Sequence, residues 1–84
     1  MPQAKKYLTA NTSYPHPHLG KMVADVLKQQ GKSKMELARL LGISQSSVMQ
    51  YFKQHSIQFS ILWNIGIALQ YDFLALLCNH YPPN

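Results

Sequence analysis

KMELARLLGISQSSVMQYFK, residues Lys34 to Lys53, holds two short helical patterns that meet at a glycine. Ser33-Lys34-Met35-Glu36 opens the first as a capping box, serine at N-cap and glutamate at N3: the serine oxygen takes the backbone N–H three residues on, and the glutamate reaches back to the serine N–H. Leu37, Ala38 and Leu41 then face inward. Gly42 ends the helix, because glycine takes positive φ at little steric cost. Ile43 is expected to be buried under the turn, and Ser44 caps the next helix. There Val48, Tyr51 and Phe52 are the apolar positions, three and four apart. Gln45, Ser46, Met49, Gln50 and Lys53 fall on the opposite face. Amide and hydroxyl groups dominate it, where an ordinary solvated face would carry more Glu and Lys.

The flanking sequence continues the helical pattern. Upstream, Leu19 to Gln30 places Leu19, Val23, Val26, Leu27 and Gln30 on one face, and Gly31 stands where a glycine ends a helix. Downstream, Gln58 to Leu69 reads as a fourth helix with Phe59, Leu62, Ile65, Gly66 and Leu69 inward. Asp72 can cap a last helix from Phe73 to about Asn79, with Phe73, Leu76 and Leu77 apolar. No strand pattern or internal repeat occurs. The chain therefore reads as an all-α domain over residues 19–80, preceded by an N-terminal arm, residues 1–18, and followed by a tail, residues 81–84. Pro15 and Pro17 oppose helix in the arm, which is expected to be flexible or loosely docked and carries Lys5 and Lys6.

With 84 residues the protein is one domain. Eight Lys and Arg against three Asp and Glu give a net charge of +5. Such a balance favours polyanions, most simply nucleic acid, although charge alone serves solubility equally well. The single cysteine, Cys78, excludes an intramolecular disulfide. The N-terminus lacks a secretory pattern. The apolar-rich stretch Ile57 to Leu77 is broken by Gln58, Ser60, Asn64, Gln70 and Asp72, too often for a membrane span. A soluble cytoplasmic protein is expected.

Enzymatic chemistry finds little to use. Asp25, Glu36 and Asp72 are the only carboxylates, and each is explained as a cap or a surface partner, so no acid–base pair remains. Cys78 and His80 lack a third group to orient the histidine. His16, His18, Cys78 and His80 do not have the tight paired spacing of a zinc site. No catalytic residue, metal or cofactor is expected.

From Leu19 to Leu77 the chain resembles the Cro and phage-repressor (Xre-like) helix-turn-helix family. The resemblance rests on Leu19-Gly20, Gly31 before Ser33, and LARLLGISQSSV with Ala38, Gly42 and Val48 four and six apart. Ala68-Leu69, Asp72 and Leu76-Leu77 add to it. It implies a five-helix, lambda-repressor-like bundle with the third helix in the major groove of double-stranded DNA, acting as a transcriptional regulator, most simply a repressor. By position, Gln45, Ser46 and Gln50 would read bases, with Ser44, Ser47 and Met49 nearby. Lys34 stands where the family often has glutamine and, with Lys53, would hold phosphates.

The chain also departs from the family. Lys32 replaces a commonly apolar residue, and Gln70 stands where glycine or asparagine is common. Ile61, Ile67 and Leu74 fill commonly polar places. A monomer would thus expose Ile57, Ile61, Trp63, Ile67 and Leu74, a patch of the kind that marks a contact site. A two-fold homodimer through helices four and five would cover it and present two recognition helices to a palindromic operator. The alternatives are an N-terminal arm packing Tyr7, Leu8 and Tyr14 over the patch, or a protein partner, as for an antitoxin or adaptor on the same fold.

Overall fold

The computed structural model describes residues 15–81, and the expectations for the arm before Pro15, Tyr7, Leu8 and Tyr14 included, lie outside them. The described chain is an all-α bundle of five helices: α1 (Leu19–Gln29), α2 (Lys34–Leu41), α3 (Gln45–Lys53), α4 (Phe59–Leu69) and α5 (Phe73–Cys78). Among the described residues there is no strand.

Short polar side chains define most helix starts. Ser33 Oγ accepts the Glu36 N–H at 3.1 Å and Glu36 Oε1 accepts the Ser33 N–H at 3.2 Å, completing the capping box. Ser44 Oγ accepts the Ser47 N–H, and an Asp72 carboxylate oxygen accepts the Ala75 N–H. The cap of α1 differs in kind: Nδ1 of His18 accepts the Lys21 N–H at 3.0 Å. Ser, Thr, Asp and Asn are the usual caps, so residue type gave no signal for this one.

Three helices end with the same backbone closure. Lys32 N–H reaches Leu27 O, Ile43 N–H reaches Ala38 O and Tyr71 N–H reaches Gly66 O. Each closure needs a left-handed residue just past the helix. Gly31 and Gly42 supply it at φ 68° and 69°; after α4 the position falls to Gln70 at φ 50°. The departure at Gln70 therefore leaves the turn's shape intact and forces a side chain into a backbone region that costs about 1–2 kcal/mol outside glycine.

The core gathers Leu19, Val23, Val26, Leu27, Leu37, Ala38, Val48, Ile57, Leu62, Ile65, Leu69 and Phe73. Helix α3 packs on α1 and α2, α2 also on α4, and α5 on α4. Tyr51, Phe52 and Ile43 lie half-buried against this core. Gln30, expected on the inward face of the first helix, stands just past it, where its Nε2 donates to Leu69 O at 2.9 Å. That bond ties the end of α1 to the end of α4.

Two expectations for α4 are corrected. Phe59, expected inward, is 59% exposed, while Ile57, expected in the exposed patch, is 5% exposed. The cause is that α4 is apolar on nearly every face, so its periodicity does not single out one stripe. Ile57 precedes the capping residue Gln58, and Leu62 is the fourth residue of the helix. These are the positions of a hydrophobic staple, and both residues are in the core. Phe59, as the first residue of α4, has a side chain directed back toward the N-terminus, beyond the core edge.

Candidate nucleic-acid interface

Helix α3 is held from below and from its far end. Val48 is fully buried and anchors its middle. At its C-terminal end the first amides of α1 meet the chain leaving α3: Leu19 N–H donates to His55 O and Gly20 N–H to Gln54 O, each at 2.9 Å. An added Cβ at Gly20 would run into the carbonyl oxygens of Tyr51, Phe52 and Gln54. Only glycine lets α1 approach this closely.

The opposite face of α3 is open. Gln45, Ser46, Met49 and Gln50 are exposed on successive turns, and Lys53 continues the face. No other described residue forms a hydrogen bond with the side chains of Gln45, Ser46 or Gln50. Lys34, the first residue of α2, is exposed as well. No acidic residue occurs between Leu37 and Tyr71, so the whole of α3 and α4 lies in a stretch without carboxylates.

The structure separates the serines that the sequence groups together. Ser44 Oγ accepts the Ser47 N–H at 3.2 Å and lies 3.0 Å from Ser47 Oγ. Both hydroxyls are therefore engaged at the helix end, and Ser47 is half-buried. Ser46 is exposed, and its hydroxyl forms no hydrogen bond with another described residue.

A second surface lies on α4 and α5. Phe59, Trp63, Ile67 and Leu74 are 59%, 53%, 63% and 42% exposed. They border a groove of about 500 Å³ that Gly66, Tyr71 and Phe73 floor. The rings of Phe59 and Trp63 are 5.9 Å apart. Of the patch expected from sequence, Trp63, Ile67 and Leu74 are present and Phe59 joins them. Ile57 is in the core, and Ile61 is half-buried against it, so neither belongs to the open surface. Among the described residues no group of three or more His, Cys, Asp or Glu is placed to hold a metal ion, and no helix is long and apolar enough to cross a membrane.

Sequence reasoning weighed His16 and His18 only as metal ligands and gave His55 no role, so it missed the α1–α3 junction where the three meet. His16 and His55 have ring centroids 4.5 Å apart, and His18 stands edge-on to His55 at 5.4 Å. The two ring pairs join residues far apart in the chain, and only the docking of α1 on the end of α3 brings them together.

Comparison with protein-family models, curated proteins and solved structures finds no significant match.

Proposed function

We propose that this protein is a sequence-specific double-stranded DNA-binding regulator of the Xre-like kind, acting in the cytoplasm as a repressor without catalytic activity. The observation that carries the reading is the open polar face of α3, whose Gln45, Ser46 and Gln50 side chains are bound to no other described residue. Glutamine can hold adenine bidentately, serine can donate or accept at a base edge, and Met49 can meet a thymine methyl. Lys34 and Lys53 flank this face as phosphate contacts; Lys53 lies in the stretch without carboxylates, and Glu36, which shares the first turn of α2 with Lys34, is held in the Ser33 capping box. Ser44 and Ser47 act chiefly by setting the start of α3.

Two copies joined through Phe59, Trp63, Ile67 and Leu74 would bury the apolar surface and give the complex two recognition helices on a palindromic operator. Selection of bound duplexes from random DNA tests the proposal. An enriched motif with two spaced half-sites is the expected result. No enrichment even at low salt would overturn DNA binding.

A second reading gains from the groove itself: an antitoxin or adaptor whose main contact is a protein partner seated on α4 and α5. A stoichiometric partner retained at moderate salt, without DNA, would favour it.

A further inference from the structure

The three imidazoles at the α1–α3 junction have different tasks. Nδ1 of His18 accepts the Lys21 N–H, so the proton of this ring sits on Nε2, and protonating Nδ1 would break the cap of α1. Nδ1 of His16 lies 2.7 Å from the carbonyl oxygen of Pro17, which can only accept, so that nitrogen carries a hydrogen. His55 stands between them, and neither of its ring nitrogens is hydrogen-bonded to another described residue. The charged groups on the segments that meet here are Lys21 on α1 and Lys53 at the end of α3, with Asp25 one turn beyond Lys21. Tyr51 packs against the core, and the start of α4 (Gln58, Phe59, Ser60) brings no ionisable group.

We propose that His55 is a proton-dependent contact to a phosphate of the DNA backbone, with His16 and His18 holding it in place. The inference rests on the DNA-binding reading of α3. A nine-residue helix is about 13.5 Å long, and the major groove is about 12 Å wide. With its first turn at base edges, the far end, from Lys53 to His55, arrives at the wall of the groove, where the phosphates are. An imidazolium donates from both nitrogens and forms a charge-assisted bond to a phosphate oxygen. Imidazoles change charge in the physiological pH range, and an adjacent anion favours the charged form. Binding therefore takes up a proton, and affinity rises as pH falls. A proton on a second ring would be a like charge at the 4.5 Å separation of the His16–His55 pair, so one proton is assigned, to His55.

The test is a titration of a selected duplex at fixed ionic strength, at about pH 8 and about pH 6. The natural protein is expected to bind about twofold to fivefold more tightly at the lower pH. The slope of log K against log salt should steepen by about 0.9, one phosphate contact. His55→Gln should remove both responses, whereas His80→Gln, at the far end of α5, should keep them. Proton NMR of the unaltered protein reads the same point without a variant: the His55 ring should titrate at higher pH in the complex than alone. Specific binding with an unchanged pH and salt response in His55→Gln, or an unmoved ring titration, would overturn the proposal and leave the DNA reading intact. No specific binding at either pH would overturn the DNA reading and this inference with it.

Discussion

The amide N–H of Gly20 donates to the carbonyl oxygen of Gln54 at 2.9 Å, docking the first turn of α1 end-on against the chain that leaves α3. The N-terminal amides of one helix lack intrahelical partners, as do the C-terminal carbonyls of another, so the contact satisfies groups that would otherwise need water. It also sets how far α3 stands out from the bundle. Gly20→Ala places a methyl against the carbonyls of Tyr51, Phe52 and Gln54. We expect a stability loss of about 1–3 kcal/mol in urea denaturation, from overpacking. At temperatures where the variant remains folded, operator affinity should fall too, because α3 must tilt to admit the methyl. An unchanged urea midpoint would show that the junction is looser than described.

The serines of α3 should divide by role. Ser44→Ala removes the acceptor for the Ser47 N–H and should cost about 1 kcal/mol of stability. Ser46→Ala should leave stability within about 0.5 kcal/mol, because its hydroxyl has no partner among the described residues. Its effect should appear as altered base preference. Thermal melts alongside binding titrations separate the two. Equal stability losses would mean that Ser46 is structural as well.

Gln45→Ala should cost about 1–3 kcal/mol on the preferred site and relax discrimination at one base pair. Lys34→Ala should weaken all duplexes about equally and lower the salt slope by about 0.9. Competition titrations with single-base variants of the selected site give both numbers. Intact preference in Gln45→Ala would displace the reading residue from that position.

The fold was legible in sequence to the extent that one residue type dictates one geometry. Ser33 with Glu36, Ser44 and Asp72 each mark a helix start, because a short oxygen-bearing side chain in that position has few other uses. The open face of α3 was legible because Val48, Tyr51 and Phe52 fix which side is inward. Helix α4 was not, since FSILWNIGIAL offers apolar residues in every direction. The choice between Ile57 and Phe59 depended on where the chain enters the helix, and the staple at Ile57 decides it. The capping role of His18 was not legible because imidazole is an uncommon cap. The junction of His16, His18 and His55 depends on α1 meeting the end of α3, a tertiary relation that no local pattern carries.

Gln70 is the one non-glycine residue with positive φ among those described. Its side chain forms no hydrogen bond with another described residue, and the closing bond from Tyr71 N–H to Gly66 O is a backbone bond that glycine would keep. Gln70→Gly relieves the left-handed strain and is offset in part by the greater freedom of glycine in the unfolded chain. The net expectation is a gain of roughly 0.5–1 kcal/mol, or several degrees in Tm for a domain of this size. Calorimetry checks it, and a lower Tm would mean that the Gln70 side chain contributes more than the strain removes.

Trp63 and Ile67 test the dimer. Both are more than half exposed, so truncation should alter the fold of a single chain little: the expected stability change in Trp63→Ala is within about 1 kcal/mol. As a central aromatic of an apolar contact, Trp63 should nevertheless carry about 2 kcal/mol or more of association energy, roughly a thirtyfold weaker dimer. Ile67→Lys should act more strongly, since two-fold symmetry sets like charges near one another in an apolar setting. Sedimentation equilibrium reads the association directly. On DNA, both variants should lose affinity for a two-half-site duplex while holding a single half-site as the natural protein does, because the open polar face of α3 is untouched. If the natural protein sediments as a monomer at every concentration and both variants bind the full site unchanged, the groove does not serve self-association. A protein partner then becomes the better occupant.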